Sequence, residues 1–249
     1  MKTVVKAFLM ALSMFSILPL RIRNWDEKAR PYMTLCLPFV GMLLGGLWTG
    51  LALLLRYLGL PKPVSAAFLA AFPFWMTGAI HLDGFLDVTD AVKSWRDREE
   101  RIRILKDPHV GSFAVIDTVL LMLLQFAFLM SLKEEADVFV LILIAAISRT
   151  AAALAVTLLK PLGTSEYAGA YRKSIKPAHI VFLGLVLICA AAAGFVFFGK
   201  TGWVSAAVLA GYLLPLARAV RSLGGMSGDI SGYAMTIAEL CGIACFALI

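Results

Sequence analysis

Eight apolar runs occupy most of this 249-residue chain, and nearly all of them are long enough to cross a lipid bilayer. An α-helix needs about 20 apolar residues to span the roughly 30 Å of hydrocarbon in a membrane. The runs are predicted to be helical because backbone N–H and C=O groups in hydrocarbon must be paired within the segment. They cover residues 4–20, 33–55, 64–80, 111–132, 138–159, 178–198, 203–216 and 233–249.

The composition excludes an ordinary soluble domain. Hydrophobic residues make up 61% of the chain and charged residues 16%, whereas a soluble domain covers its core with about 25% charged residues. We therefore predict an all-α, polytopic integral membrane protein with about seven (six to eight) transmembrane helices in one bundle. Residues 1–249 are expected to form a single membrane-embedded domain.

The first run, residues 4–20, has the basic and apolar character of a signal peptide. No small-residue cleavage motif follows it, however, and Arg21 and Arg23 come directly after it. These features favour a retained helix over a cleaved signal. The sequence leaves open whether this helix crosses the bilayer or lies at its surface.

Basic residues in the connections predict the orientation of the helices. Sixteen Lys and Arg residues lie in the connections 21–32, 83–110, 160–177 and 218–232, and four lie in the connections that alternate with these. The positive-inside rule places the basic connections in the cytoplasm. We expect a multi-pass protein of the cytoplasmic (inner) membrane with its active site facing the cytoplasm. The net charge of +7 then needs no nucleic-acid partner.

Three aspartates that follow the run 64–80 share one helical face. Asp83, Asp87 and Asp90 have the spacing i, i+4 and i+7, which places them within about 60° of one another on a helix. Such like charges repel, so a helix gains nothing from them unless a cation binds. Carboxylate oxygens suit Mg²⁺ shared with phosphate. The competing interpretation is a solvated helix end that is acidic by chance.

Further polar residues lie on the same predicted side of the membrane. Gly84 lacks a side chain and would let a ligand approach the backbone, while His81 is either a base or an interfacial polar residue. The segment 106–112 offers a cation, a carboxylate and a helix-start hydroxyl in Lys106, Asp107 and Ser112. We therefore expect this side of the bilayer to carry the chemistry.

A glycine-rich turn at residues 224–229 could cradle phosphate or could simply be a linker. Its candidate residues are Gly225, Ser227, Gly228 and Asp229. Arg149 is the only basic residue deep within a predicted span, and Glu239 lies in the last span. Charged residues inside a membrane are costly and usually functional, so a carboxylate such as Glu239, or a substrate phosphate, is expected to pair with Arg149.

Together these motifs resemble the cobalamin synthase family, the membrane adenosylcobinamide-GDP ribazoletransferases. The resemblance rests on H-x-D-G-x-x-D-x-x-D at 81–90, R-D-R with K-D-x-x-x-G-S at 96–112, S-R at 148–149, and G-G-x-S-G-D with E-L at 224–240. The N-terminal segments A-L-S-M-F-S-I-L-P and P-F-V-G-M-L-L-G also resemble this family. The similarity runs along essentially the whole chain, with the motifs in order.

The resemblance implies a transferase of cobalamin (vitamin B12) biosynthesis. In that reaction α-ribazole, or α-ribazole 5′-phosphate, attacks the diphosphate of adenosylcobinamide-GDP. GMP leaves, and the nucleotide loop of adenosylcobalamin, or of its 5′-phosphate, is closed. Mg²⁺ is the implied cofactor, in keeping with phosphoryl transfer that relies on metal-bridged oxygens.

The motifs and the resemblance together define the candidate site. Candidate catalytic residues are His81, Asp83, Asp87, Lys106, Asp107 and Arg149. Candidate substrate-binding residues are Gly84, Ser112, Gly225, Ser227, Gly228 and Glu239. Candidate metal ligands are Asp83, Asp87, Asp90 and Asp229. The sequence leaves open the general base, the phosphorylation state and base of the ribazole, and whether the chain forms a homo-oligomer.

Two other functions compete with this one. A cation-coupled transporter also carries acids and an arginine in its spans, but its acids are expected near the midplane on broken helices. A lipid head-group or prenyl transferase is the second alternative, because D-x-x-D-type helices also hold diphosphate. The predicted position of the acids at the cytoplasmic end of a span favours an enzyme that draws its substrate from that side.

The orientation leads to the first testable prediction. In a variant that lacks the four native cysteines, a cysteine introduced in 83–110 or 160–177 should react with an impermeant label only from the cytoplasmic side. A cysteine introduced in the predicted outer connection 133–137 serves as the control. Labelling of the first two segments from outside would reverse the orientation.

Overall fold

The described residues, 2–20, 25–163 and 175–249 of a computed structural model, contain ten α-helices. The helices are α1 (Lys2–Phe15), α2 (Met33–Tyr57), α3 (Lys62–Met76), α4 (Ile80–Lys93), α5 (Arg98–Ile104), α6 (Ser112–Ser131), α7 (Val140–Leu158), α8 (Pro177–Phe198), α9 (Trp203–Leu223) and α10 (Gly228–Leu248). The all-α prediction is therefore confirmed. Arg21, Arg23, Arg172 and Lys173, which contribute to the predicted orientation, lie outside the described residues.

Several helices have the length and composition of membrane spans. Five apolar helical stretches in the described chain can cross a bilayer, or six if the bent pair α3–α4 counts as one span. One stretch, Pro177–Leu223, has 47 residues but folds back on itself between α8 and α9. A Cβ added to Gly194 would lie 2.6 Å from Ser205 Oγ, whereas a straight helix would separate these residues by about 16 Å.

Helix α7 forms the centre of the bundle. Most of its side chains are buried, and α2, α8, α9, α10 all pack against it. Its sequence is rich in alanine, which keeps the helix surface shallow and lets neighbouring backbones approach closely. Arg149 therefore lies inside the protein and not in lipid, with 4% of its surface exposed.

Two glycines on α2 allow that helix to lie directly against α7. A Cβ atom added to Gly41 would lie 2.5 Å from the carbonyl oxygen of Ala145. One added to Gly45 would lie 2.6 Å from the Cα atom of Ile142. The two positions are four residues apart and share one helical face. Since lipid provides little hydrophobic driving force for helix association, close contact of this kind is a main source of stability.

The chain bends by 88° between α3 and α4. The acidic helix α4 thus turns sharply away from the direction of α3. Gly78 and Ala79 both adopt left-handed backbone conformations, with φ of 61° and 60°, which a helix cannot contain. The bend directs α4 onto α6 and α10, and Gly232 of α10 packs against the backbone of His81.

The packing of α2 on α7 leads to a paired prediction. Gly45→Ala should lower the free energy of unfolding by about 1–3 kcal/mol, because the added methyl group meets the α7 backbone. Gly46→Ala is the control, since nothing lies within 4 Å of the Cβ position there. It should leave the stability unchanged or raise it slightly. Thermal unfolding in detergent measures both, and equal effects would contradict the proposed contact.

Candidate active site

A cavity of about 740 Å³ lies where the ends of several helices converge. Its walls come from α1, α2, α5, α7, the start of α4 and the start of α10, and they are mainly apolar. Six of the candidate site residues line it, namely His81, Lys106, Arg149, Ser227, Gly228 and Asp229. Residues that are far apart in the chain are thus brought to one apolar chamber with a polar end.

Arg149 lies at the wall of this cavity and pairs with Glu239 of α10. Its Nη1 atom donates hydrogen bonds to Glu239 Oε1 and to Ser148 Oγ, the latter at 3.0 Å. Both ends of the ion pair are buried, with 4% and 6% of their surfaces exposed. The predicted carboxylate partner of the intramembrane arginine is confirmed. Glu239 itself does not line the cavity, and its contact with substrate stays a prediction.

The start of α10 faces the same cavity. Ser227 accepts a hydrogen bond from the backbone N–H of Ile230 at 3.2 Å and thereby caps the helix. Gly228 and Asp229 follow in the first turn, and both line the cavity. Free N–H groups and the helix dipole give such an end a partial positive charge that attracts anions.

Gly225 serves packing in this structure, and its contact with phosphate stays a prediction. A Cβ added there would lie 2.6 Å from Leu162 Cα. The neighbouring Met226 forms a parallel backbone bridge with Pro161, in which Leu162 N–H donates to the Met226 carbonyl at 2.8 Å. The turn is therefore fixed against the segment that follows α7, and it holds the start of α10 in place.

Asp229 connects the cavity with the acidic face of α4. The charges of Asp83 and Asp229 both act on Asp87, so these carboxylates lie near one another. Gly84 packs directly on α10, since an added Cβ would lie 2.6 Å from the Asp229 carbonyl oxygen. Gly84 therefore admits the neighbouring helix α10, and its contact with a ligand stays a prediction.

Asp90 has a different function from the other aspartates of α4. Its two carboxylate oxygens accept hydrogen bonds from the backbone N–H groups of Gly111 and Ala114, at 2.6 and 2.8 Å. These groups belong to the start of α6 and would otherwise lack partners. Asp90 thus holds α6 against α4, and its role as a metal ligand stays a prediction.

Two candidates from the connection before α6 lie away from the cavity. Asp107 accepts hydrogen bonds from the backbone N–H and the ring of His109, which hold its pKa below the usual range. Ser112 is exposed at the start of α6, where Asp90 already accepts from the nearby backbone. Neither residue lines the cavity, whereas the adjacent Lys106 does.

The carboxylates fit a magnesium site only in part. No group of three or more His, Cys, Asp or Glu side chains in the described ranges is arranged to hold a metal ion by itself. Asp83 and Asp87 nevertheless have no hydrogen-bond donor or cation as a partner in the described structure. Unpaired carboxylates of this kind suit Mg²⁺ that takes its remaining ligands from water and phosphate.

The sequence profile of the cobalamin-5-phosphate synthase family matches residues 7–247. The chain belongs to this family. Adenosylcobinamide-GDP ribazoletransferase of Clostridium perfringens (strain SM101 / Type A) is 35% identical to it over the full length of both chains. The enzymes of that name from Geobacillus kaustophilus and Pseudomonas putida (strain W619) are each 33% identical. They align with 93% and 94% of this chain, and with 91% and 95% of their own lengths. No solved structure matches this one.

Sequence reasoning missed the apolar walls of the cavity in this cobalamin-5-phosphate synthase family member. Phe15 of α1 lines the cavity, and its ring stacks on His81 with centroids 6.3 Å apart. Met33, Thr34 and Leu37 of α2 form another part of the wall. Phe15 belongs to the family-like segment A-L-S-M-F-S-I-L-P, which is a signal for this part of the wall, whereas apolar character alone does not separate the other residues from lipid-facing or core residues.

The two kinds of aspartate on α4 should respond differently to the same substitution. Asp90→Asn should lower the free energy of unfolding by about 1–3 kcal/mol, because an amide cannot accept both hydrogen bonds from α6. Asp83→Asn removes a repulsive charge at an exposed position and should leave the stability unchanged or slightly higher. Thermal unfolding in detergent without Mg²⁺ compares them, and equal losses would contradict the distinction.

Proposed function

We propose that this protein catalyses Mg²⁺-dependent transfer of the adenosylcobinamide phosphate moiety from adenosylcobinamide-GDP to α-ribazole or α-ribazole 5′-phosphate. A ribazole hydroxyl oxygen forms a bond to the phosphorus next to cobinamide, and the bond from that phosphorus to the GMP oxygen breaks. The hydroxyl proton is released, and GMP and adenosylcobalamin, or its 5′-phosphate, are the products. The observation that carries the proposal is the cavity, whose lining combines Lys106, Arg149 and Asp229, within a chain of this family.

The cationic side of the cavity suits the diphosphate. Lys106, Arg149 and the backbone N–H groups at the start of α10 line one chamber, and each is a common ligand of phosphate oxygens. The walls around them are apolar. In such a low-dielectric site these groups stabilise developing negative charge more strongly than they would in water.

The aspartates next to the cavity are suited to bind the Mg²⁺ ion. Asp83 and Asp87, which have no partner in the described structure, would hold Mg²⁺, with water and phosphate oxygens completing its shell. The ion would neutralise charge on the phosphate oxygens as the hydroxyl attacks. Asp229 lies on both the cavity wall and the acidic face, so it is the residue that brings the metal and the diphosphate together.

His81 is our candidate for the group that accepts the hydroxyl proton. Its ring lies in the cavity wall between Phe15 and the neighbourhood of Arg149. The ring nitrogens have no hydrogen-bond partner in the described chain, so one of them is free to bind a hydroxyl group. A general base needs this direct access to the proton that it removes.

One structural feature also favours the transporter alternative, because the bend between α3 and α4 resembles the broken helices of secondary transporters. Formation of GMP by protein in detergent separates the two functions, since transport needs a sealed membrane and forms no product. We place the reaction at the cytoplasmic face of the inner membrane, where the basic connections are predicted to lie.

The experiment combines purified protein with adenosylcobinamide-GDP, α-ribazole 5′-phosphate and Mg²⁺, and measures GMP release. Asp87→Asn should lower turnover by roughly 10²–10³-fold, because a metal-held contact in the transition state is lost. Glu134→Gln, in an exposed connection far from α4 in sequence, is the matched control and should be fully active. A rate of GMP release that does not change when Mg²⁺ is chelated would refute the metal site. Equal turnover of the Asp87→Asn and Glu134→Gln variants would refute it as well.

A further inference from the structure

We infer that Glu239 and Ser148 are positioning residues that hold one edge of the Arg149 guanidinium, so that its other edge is kept for an oxyanion of the substrate. The inference rests on the proposed function for the identity of that oxyanion, a diphosphate oxygen of adenosylcobinamide-GDP. It assigns Glu239 a role behind the site instead of in contact with substrate. It also gives the hydroxyl group of Ser148 a role of its own.

The hydrogen bonds of Arg149 are divided unequally between its nitrogen atoms. Nη1 donates to Glu239 Oε1, to Ser148 Oγ at 3.0 Å and, at 3.5 Å, to the Ala145 carbonyl. Nε is buried and has no partner among the described residues, and Nη2 donates to none of them either. A guanidinium has five N–H donors, so the edge formed by Nε and Nη2 is unsatisfied.

An unsatisfied donor in a buried cation is costly, so the free edge of Arg149 calls for a partner. Arg149 lines both the 740 Å³ cavity and a much smaller pocket beside Glu239. We place its free edge toward the larger cavity, because a ligand of the size of a diphosphate fits there. The fork of two parallel N–H groups matches two oxygens of a phosphate group. The buried edge is thus satisfied by protein, and the free edge by substrate.

Ser148 closes the arrangement on the protein side. Its hydroxyl lies 3.1 Å from Glu239 Oε1 and 3.0 Å from Arg149 Nη1, so it can donate to the carboxylate while it accepts from the guanidinium. Three groups therefore hold Nη1, which restricts rotation of the planar guanidinium about the Cδ–Nε bond.

Helix α2 restricts the aliphatic part of Arg149 as well. A Cβ added to Gly41 would lie 3.0 Å from Arg149 Cδ, so the α2 backbone packs against the stem of the side chain. With its stem and one edge held, Arg149 has little freedom to turn its other edge away from the cavity. Preorganisation of this kind lowers the entropy lost when the substrate binds.

The test compares Ser148→Ala with Ser148→Thr, which keeps a hydroxyl group. Ser148→Ala should raise KM for adenosylcobinamide-GDP about tenfold and leave KM for α-ribazole 5′-phosphate unchanged, as expected from loss of one hydrogen bond to a charged group. Ser148→Thr should restore most of the loss. Ser131→Ala is the control, since that hydroxyl only donates to the carbonyl of Ala127 in α6. A fall in melting temperature alone, with both KM values unchanged, would overturn the inference.

A charge exchange provides the second measurement. The double variant Arg149→Glu with Glu239→Arg should recover the thermal stability that each single variant loses, because the ion pair is rebuilt. Turnover should stay at least 10²-fold below that of the unchanged protein, because the free edge no longer faces the cavity. Recovery of both stability and turnover would show that the pair only ties α7 to α10.

Binding of GDP separates failure of this inference from failure of the proposed function. GDP carries the diphosphate and needs no reaction, so its affinity can be measured by titration in the presence of Mg²⁺. Ser148→Ala should weaken GDP binding about tenfold and Ser131→Ala should not. If the two variants differ in GDP affinity but the unchanged protein releases no GMP, the proposed reaction is refuted and the role of Ser148 is retained. Equal GDP affinities in both variants would refute the role of Ser148 directly.

Discussion

The ion pair between Arg149 and Glu239 is the interaction on which the rest of the site depends. A buried charge costs several kcal/mol unless it is paired and hydrogen-bonded, and here the pair joins α7, the central helix, to α10. The two helices must therefore keep a fixed register. That register brings Asp229, ten residues before Glu239 on the same helix, to the cavity and to the acidic face of α4.

In the candidate site, positively and negatively charged side chains lie on opposite sides of the first turn of α10. Lys106 and Arg149 line the cavity, whereas Asp83 and Asp87 lie on α4, and the first turn of α10 stands between them. Close contact at Gly84 makes this possible, because any side chain there would meet the Asp229 backbone. A substrate diphosphate and a metal ion could then meet at Asp229 with neither charge left uncompensated in an apolar region.

Helical periodicity predicted the shared face of Asp83, Asp87 and Asp90, but it could not separate their functions. These residues cover about 60° of the surface of α4. One edge of that surface can therefore contact α6 while the remainder contacts α10. Asp90 falls on the edge that caps α6. Similarly, the glycine-rich turn was recognised from composition, yet only its contact with residues 161 and 162 shows that Gly225 serves packing.

The sequence by itself determined the helices, the membrane setting, the family and most of the polar residues of the site. Each of these depends on local properties, because a helix in lipid satisfies its own backbone and a motif is read along the chain. The tertiary structure decided which helix ends converge, that α1 and α2 form the cavity wall, and that Glu239 supports Arg149 from behind. Those outcomes depend on which surfaces fit together across long separations in the chain. An apolar residue that faces lipid and one that faces a cavity look the same in sequence.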